Sequence, residues 1–252
     1  MNNIAFVVVS CDRYADLWHG FFQCFHKYWG DFSWDLYLVT NHLDFKDNRV
    51  KVIKIGDDID YSTNLLNAIE QINADWILLW LEDSFLSKKI NNQLVNEIVE
   101  KAINTPNLGY LKLSNDLPLS YNCDKYFYFG KIPKGVKYRS AIGLSLYRKD
   151  VLQEILVPGQ TAWQIDKSGI SDSLIEDFYA LSTAFYKNPL FPYVNTVIKG
   201  KWYLPALSFL RKEGMSDIVR FRKKQQLLEF FYIRIFLLWS SFFRFFKIYW
   251  YR

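Results

Sequence analysis

The sequence predicts an α/β fold with a doubly wound, mostly parallel sheet, a mixed second half and an amphipathic helical tail. Two short apolar runs, Ile4–Val9 and Trp76–Leu81, are typical of strands that are buried on both faces of a parallel sheet. Segments with apolar residues at helical spacing alternate with such runs up to residue 115. From Phe221 onward, clusters of aromatic and aliphatic residues are interrupted by single cations, a pattern that favours helices.

The elements of the first half follow one another as βα units. The first strand leads through the polar turn Ser10–Arg13 into a helix with an aromatic face, and Ser62 or Thr63 is placed to cap the second helix. The predicted strands are 4–9, 34–39, 50–55, 76–81 and 108–113. The predicted helices cover Leu17 to Tyr28, residues 62 to 72, and about residues 91 to 103.

The pattern changes after Asn115 to mixed, aromatic-rich segments. They are 126–129, a strand within 138–147, a helix near 150–156, and 163–166. No repeat or low-complexity linker separates the two halves. We therefore expect one half over residues 1–115, a second half of the same domain over 116–213, and a basic aromatic tail over 214–252.

Charge and cysteine content narrow the class of protein. The 252 residues carry a formal net charge of +5, yet ten Lys or Arg and three Asp or Glu fall between Arg211 and the end, so the basic character belongs to the tail. A nucleic-acid-binding protein would more often spread its cations over a face of the fold, so nucleic acid is not an expected partner. Three cysteines without a CxxC pair fit reduced thiols in a cytosolic compartment.

Two adjacent carboxylates, Glu82 and Asp83, end the apolar run at Leu81. In parallel sheets, ligands bind outside the carboxyl ends of the strands, so these side chains stand where a ligand is expected. A divalent cation that bridges a diphosphate would use them well. The alternative is a solvated turn that opens a helix at Lys88.

Other candidates follow from local chemistry. Asp12, after the first strand, could bind a nucleobase or ribose, or cap the next helix. Trp163 stands three residues before Asp166, and an aromatic platform beside a carboxylate suits a sugar hydroxyl that must be held and deprotonated. The candidate cations for phosphate oxygens are Lys199 and Lys201, which flank a glycine, and Arg139, for which a surface ion pair is the alternative.

The tail predicts a helix that lies in a membrane interface. Its longest uncharged run, Ile235 to Phe243, is nine residues, which is too short to span a bilayer. Wound as a helix from Phe221, its polar residues, with Arg222 and Lys223 first among them, fall on one face opposite the aromatic residues. The alternative is an aromatic helix docked on the domain or on a second subunit.

Taken together, these segments resemble a family of bacterial glycosyltransferases with a GT-A-like fold that assemble capsule, O-antigen or lipopolysaccharide. The resemblance covers most of residues 4 to 215 and rests on the order and spacing of its motifs. The motifs are Ser10–Arg13, Tyr61–Leu66, Leu81–Leu86, Tyr138–Ser140 with Leu146–Arg148, Pro158–Asp166, Val197–Trp202 and Lys212–Gly214.

The sequence departs from the family pattern at three places. Relatives carry an Asp-x-Asp triplet where this chain has Leu81–Asp83, a Glu where it has Asp166, and a Gln where Gly143 or Leu144 falls. The first difference removes one acid, so Mg²⁺ or Mn²⁺ dependence stays open. The second shortens the acid by one methylene group, and the third loses a polar contact.

The resemblance implies a hexosyltransferase-like enzyme that transfers a sugar from a nucleoside-diphosphate donor, with inversion, to a lipid-linked glycan or lipopolysaccharide. It also implies that the half over residues 1–115 binds the nucleotide sugar and that the half over 116–213 binds the acceptor. Asp166 would be the general base, and Trp163 and Trp202 would contact the acceptor. Glu82 and Asp83 would position the diphosphate and hold any metal ion. The further donor-binding residues would be Asp12, Arg13, Asn64, Arg139, Lys199 and Lys201.

We further expect the enzyme to lie peripherally at the cytoplasmic face of the inner membrane. Whether it forms a homodimer stays open. The second hypothesis is a non-catalytic scaffold or glycan-binding member of a polysaccharide assembly complex on the membrane surface. The incomplete acidic triplet favours it. Binding of nucleotide sugars would separate the two hypotheses.

Overall fold

A computed structural model describes residues 3–120 and 128–245 of the chain. Its strands are β1 Ile4–Val9, β2 Asp35–Thr40, β3 Lys51–Lys54, β4 Trp76–Leu81, β5 Ser84–Leu86, β6 Leu108–Lys112, β7 Phe129–Lys131, β8 Ser145–Arg148, β9 Asp177–Leu181, β10 Tyr193–Asn195, β11 Val197–Ile198 and β12 Lys201–Trp202. Its helices are α1 Ala15–Tyr28, α2 Tyr61–Glu70, α3 Asn92–Ile103, α4 Lys149–Ile155, α5 Ala162–Lys167, α6 Ile170–Ser173, α7 Leu204–Lys212 and α8 Leu227–Phe245.

Eight of the described strands form one sheet in the order β3-β2-β1-β4-β8-β6-β9-β7. The pairs among β3, β2, β1 and β4 are parallel, as is β6 with β9, whereas β8 and β7 run antiparallel to their neighbours. The predicted α/β class, mostly parallel sheet and mixed second half are confirmed.

Helices cover both faces of the sheet, and alternate residues of each central strand point into two separate cores. In β1, Phe6 and Val8 pack in the core under α1 and α3, while Val7 packs in the core under α2 and α4. This explains why the strands are apolar throughout, since neither face meets water.

Most of the aromatic residues that the sequence concentrates near its beginning serve the core. Phe6 makes edge contacts with Phe25 and Trp29, at centroid distances of 5.2 and 5.9 Å, and stacks on Trp80 at 5.6 Å. Such aromatic pairs add stability beyond the area that they bury. High aromatic content here therefore reflects packing first, and ligand or membrane contact only at the exposed positions.

Several predicted boundaries need correction. The strand expected within 138–147 is confined to β8, since residues 138–144 form turns with positive φ at Tyr138 and Leu144. Gly143 and Leu144 thus lie before the strand. The α2 helix is capped by Asp60, whose Oδ1 accepts a hydrogen bond from the Thr63 N–H at 3.0 Å, and not by Ser62 or Thr63. No helix opens at Lys88, because β5 follows the acidic pair.

The tail forms the helix α8, which begins at Leu227 and not at Phe221 as the sequence predicts. A 3₁₀ turn spans Ser216–Phe221, and the next residues are extended, with Trp202 bonded to the backbone of Lys223 and Gln225. Arg222 and Lys223 therefore do not belong to the amphipathic helix. Among the described residues, no helix combines the length and apolar character that crossing a bilayer requires. Residues 126–127 and the cations Lys247 and Arg252 lie outside the described part.

Candidate functional site

A cavity of about 600 Å³ opens where the carboxyl ends of β1, β2 and β4 meet. This is the sheet edge at which α/β proteins bind ligands. Because it contains three carboxylates whose pKa values are raised, we call it the acidic cavity. Its lining residues include Val9, Ser10, Cys11, Tyr14, Val39, Asn41, Ile55, Asp58, Tyr61, Asn64, Leu65, Leu81, Glu82, Asp83, Trp163 and Asp166.

Glu82 and Asp83 form the two-residue turn between β4 and β5, and Glu82 is only 7% exposed. A solvated turn is therefore not what these residues make. Burial, together with the neighbouring Asp83, raises the pKa of Glu82 to about 8, and burial also raises the pKa of Asp83. The guanidinium of Arg222 acts on both carboxylates in the opposite direction. The turn is thus a place where added positive charge would be stabilising.

The backbone fixes the position of this turn. The carbonyl oxygen of Asp83 accepts hydrogen bonds from both the N–H and the hydroxyl of Thr196, at 2.7 and 2.9 Å. On the other side, the Trp80 indole N–H donates to the carbonyl of Ser84 at 2.8 Å. Because Thr196 and Trp80, which donate these hydrogen bonds, are both buried, the two carboxylates are held at the carboxyl end of β4 with little freedom.

Asp166 approaches the same cavity from α5, more than 80 residues further along the chain. Its Oδ1 accepts a hydrogen bond from the Ile142 N–H at 2.9 Å, which orients the carboxylate. Burial raises the pKa of Asp166, while this hydrogen bond and the charges of Lys112 and Lys167 act to lower it. The structure therefore places Asp166 on the same cavity as the acidic pair.

The loop over residues 138–144, whose Ile142 N–H binds Asp166, is itself held in place by hydrogen bonds. Its carbonyls point into the core, where the Tyr110 hydroxyl donates to Ala141 O at 2.9 Å and the ammonium of Lys112 donates to Gly143 O. Ser145 Oγ donates within the same loop, with 2.6 Å to Ala141 O. With its carbonyls satisfied on the inner side, the loop presents the Ile142 N–H to the cavity.

Trp163 and Asn64 both line the acidic cavity. Trp163 is 72% exposed on α5, one turn before Asp166, so its indole is available to a ligand. The Asn64 side chain bonds the loop before α2, donating to Asp58 and accepting from the Ile59 N–H. Asn64 therefore shapes the rim by holding this loop.

Asp12 has a structural role that sequence reasoning did not foresee. Its carboxylate accepts hydrogen bonds from the backbone N–H groups of Asn41, His42 and Leu43, at 2.9 to 3.3 Å, while its own N–H donates to Asn41 Oδ1. The expected contact of Asp12 with a nucleoside is thus corrected: the carboxylate joins the ends of β1 and β2.

A second cavity, of about 690 Å³, adjoins the acidic cavity, and Tyr14 lines both. We call it the cationic cavity, since it contains three cations. Its lining residues are Asp12, Arg13, Tyr14, Asp16, Lys199, Gly200, Phe221 and Arg222. The structure therefore places Arg13 and Lys199 together in the cationic cavity. The other predicted residues that line a cavity are in the acidic cavity: Asn64, Glu82, Asp83, Trp163 and Asp166.

Three further predictions of site residues are wrong as to position. Arg139 is 1% exposed, because its side chain fills the core. Its guanidinium lies 4.3 Å from the centre of the Phe178 ring and donates hydrogen bonds to backbone carbonyls. Trp202 is fully buried, and its indole N–H donates to Val219 O at 3.0 Å. Lys201 pairs with Glu229 at the start of α8 and lines neither cavity.

A metal ion would have to be held by Glu82 and Asp83. Within residues 3–120 and 128–245, no three His, Cys, Asp or Glu side chains are grouped as a metal site. Mg²⁺ is nevertheless often bound by one or two carboxylates together with substrate phosphates. A buried acidic pair with raised pKa values fits that mode, in which the substrate supplies the remaining oxygens.

The most important residue that sequence reasoning missed is Arg222. Its guanidinium forms a paired hydrogen bond with Asp16, at 2.6 and 2.7 Å, and lies 4.2 Å from the centre of the Tyr14 ring. It lines the cationic cavity and acts electrostatically on the acidic pair. Only the run of cations from Arg220 to Lys224 signalled it, and that run was assigned to the tail.

No protein-family model and no curated protein matches the sequence. Among solved structures, the chain is similar to S. aureus TarS 1-349 in complex with UDP-GlcNAc, at 10% identity and a TM-score of 0.46 over 76% of this chain and 57% of that chain. It is also similar to a cytidylyltransferase from Leptospira borgpetersenii, at 10% identity and a TM-score of 0.45 over 90% of this chain and 100% of that chain. A nucleotidyl transferase from Methanothermobacter thermautotroptrophicus gives 15% identity and a TM-score of 0.44 over 72% and 88% of the two chains. These likenesses are distant, and the chain spans less than two thirds of the TarS segment.

Proposed function

We propose that the protein is a glycosyltransferase that moves a sugar from a nucleoside diphosphate to a hydroxyl group of a lipid-linked glycan or lipopolysaccharide. The observation that carries the proposal is the meeting of Glu82, Asp83 and Asp166 on one cavity at the carboxyl edge of the sheet. An acidic pair suits a diphosphate with its cation, and a separate, oriented carboxylate suits deprotonation of an acceptor.

The donor would lie along the strand ends. Val39, Ile55 and Leu65 supply apolar walls for a nucleobase, and Asp58 stands at the rim beside Asn64 for contact with ribose hydroxyls. The diphosphate would reach the turn at Glu82 and Asp83, where a bound Mg²⁺ or Mn²⁺ would neutralise phosphate charge. The charge of Arg222 acts on both carboxylates of that turn, and it would stabilise the negative charge of the leaving group.

The acceptor hydroxyl would approach Asp166. With Oδ1 held by the Ile142 N–H, Oδ2 would take the hydroxyl proton as the acceptor oxygen forms its bond to the anomeric carbon. The bond between that carbon and the phosphate oxygen breaks at the same time, and the nucleoside diphosphate departs. Attack from the face opposite the leaving group inverts the configuration. Trp163 would stack on the acceptor sugar at the rim.

The membrane would concentrate the acceptor. In α8, the large apolar residues Leu228, Tyr232 and Leu238 are 81, 71 and 65% exposed. An apolar helix face with cations nearby is typical of a helix that lies in a lipid interface. We propose a peripheral position on the cytoplasmic face of the inner membrane, in assembly of capsule, O-antigen or lipopolysaccharide.

The test is a screen of purified protein against UDP-, GDP-, dTDP- and CMP-sugars, by calorimetry and by hydrolysis. We expect one donor class to bind and to be slowly hydrolysed. The Asp166→Asn variant should bind that donor normally and lose about 100-fold or more in transfer to an acceptor. The control Asp31→Asn removes an exposed acid that lines neither cavity and should transfer at the wild-type rate.

Two results would contradict the proposal. Near-normal transfer by Asp166→Asn would remove the general base. If no nucleotide sugar bound while the protein still bound vesicles, the non-catalytic scaffold would be the better description.

A further inference from the structure

The cationic cavity has charge that the proposed transfer reaction does not use. Its two acids are committed within the protein, since Asp12 accepts three backbone N–H groups and Asp16 is paired with Arg222. Arg13 and Lys199 are exposed, and neither forms an ion pair with a described carboxylate. The side chains that line the cavity therefore carry a net positive charge, which favours an anion.

The acid nearest to Lys199 does not cancel this charge. Glu229 feels the charge of Lys199, but its carboxylate is bonded to the ammonium of Lys201 and to the Gln226 N–H. Lys201 thus neutralises Glu229, and the ammonium of Lys199 stays available to a ligand.

The backbone at Lys199 is strained in a way that a merely structural turn would avoid. Lys199 and Gly200 connect β11 and β12, with φ values of 51° and 74°. Two positive φ values define a type I′ turn, in which Asn or Gly is strongly preferred at the first position. A lysine there costs stability, and it places a cation on the wall of the cavity.

The rim of the same cavity adjoins apolar surface. Phe221 lines the cavity and is 56% exposed. The Lys201–Glu229 pair ties the turn to the first residues of α8, where Leu227 and Leu228 are 67 and 81% exposed. A cationic cavity beside an exposed apolar helix matches a ligand with an anionic head and a hydrocarbon chain.

We propose that the cationic cavity binds the phosphate group of a lipid phosphate or diphosphate, with Arg13 and Lys199 on the phosphate oxygens and the lipid chain along α8. If the proposed function holds, this lipid is the carrier of the acceptor glycan. Tyr14, which lines both cavities, then separates the phosphate of the acceptor from the diphosphate of the donor. This assigns Arg13 and Lys199 to the acceptor, and not to the donor as the sequence suggested.

Calorimetry with farnesyl diphosphate tests the assignment, with inorganic pyrophosphate and farnesol as partial ligands. We expect farnesyl diphosphate to bind at least about tenfold more tightly than either, with an affinity that falls as salt rises. The double variant Arg13→Gln/Lys199→Asn should weaken this binding by about tenfold or more and leave the affinity for nucleoside diphosphate unchanged. Asn tolerates the positive φ at the turn, so the variant is expected to fold.

The matched control is Lys187→Gln, which removes an exposed lysine that lines neither cavity. It should bind farnesyl diphosphate like the wild type. Wild-type affinity of the double variant for farnesyl diphosphate would overturn the assignment. A loss of nucleoside diphosphate binding in the double variant, with farnesyl diphosphate binding retained, would return both cations to the donor.

The outcome also separates this inference from the proposed function. If no nucleotide sugar binds, but farnesyl diphosphate binds and depends on Arg13 and Lys199, the transferase proposal fails and the lipid phosphate site stands. If a nucleotide sugar binds and farnesyl diphosphate does not, the transferase proposal stands and this inference is wrong.

Discussion

The carboxylate of Asp166 is held by the backbone N–H of Ile142, with 2.9 Å between Oδ1 and the nitrogen. The loop that contains Ile142 enters the antiparallel strand β8, which lies between β4 and β6. Because β8 lies beside β4, the loop that supports Asp166 is next to the turn that carries the acidic pair. The relative position of the three carboxylates thus depends on strand order.

The first prediction concerns the pH dependence of transfer. In the proposed reaction Asp166 must be ionised to accept a proton, and the charge of buried Lys112 acts to lower its pKa. In Lys112→Met, loss of that charge raises the pKa of Asp166, so the acidic limb of the kcat/KM profile should move to higher pH. The exposed Lys167 also acts to lower this pKa, yet its charge is screened by solvent, so Lys167→Met should move the limb less. Equal profiles for the wild type and Lys112→Met would contradict the electrostatic role of Lys112.

The second prediction concerns stability against pH. The pKa of Glu82 is about 8 in the folded protein against an ordinary value of 4.5. Because the folded state binds this proton more tightly than the unfolded state does, protonation of Glu82 stabilises the fold. This stabilisation is complete below pH 4.5 and is lost as pH rises through about 8. Glu82→Gln keeps the shape without the ionisation, so its free energy of unfolding relative to the wild type should rise between pH about 5 and about 8, by a few kcal/mol at most. Urea denaturation at both pH values measures it, and a difference independent of pH would refute the assigned pKa.

The third prediction concerns the hydrogen bonds that join β1 and β2. Asp12→Ala leaves the N–H groups of Asn41, His42 and Leu43 without their acceptor. We expect the free energy of unfolding to fall by about 2 kcal/mol, because hydrogen bonds to a charged group are among the stronger ones. Asp31→Ala, at an exposed acid, should change it by less than about 0.5 kcal/mol. An Asp12→Ala protein as stable as the wild type would show that the carboxylate has another role.

The fourth prediction concerns membrane binding by α8. Leu228, Phe231 and Ile235 are 81, 57 and 55% exposed, so a Glu at each should leave the fold intact. Cosedimentation with vesicles that contain anionic lipid should be strong for the wild type and at least about tenfold weaker for this triple variant. Glu at Ile175 and Tyr186, which are 83 and 80% exposed elsewhere on the protein, is the matched control and should not weaken it. Equal binding by the triple variant would favour the alternative in which α8 docks on protein.

Local sequence signals predicted β1, β2, β3, β4 and β6 of the main sheet and the position of the acidic pair, but they did not predict β5. Apolar runs such as Ile4–Val9 are local signals, because a strand covered on both faces must be apolar at every position. The run that ends at Leu81 also fixed Glu82 and Asp83 at a strand terminus, which in a parallel sheet is the ligand edge.

The distant residues that join that edge could not be predicted from local patterns, because their positions depend on how the whole chain packs. Asp12, Arg139 and Trp202 have the chemistry of ligand contacts, yet the first is bonded to backbone and the other two fill the core. Arg222 was assigned to the tail by its neighbours and instead lines the cationic cavity. Periodicity records which face of an element is buried, whereas the partner of a polar side chain depends on the order of strands and the path of loops, which only the packing of the whole chain determines.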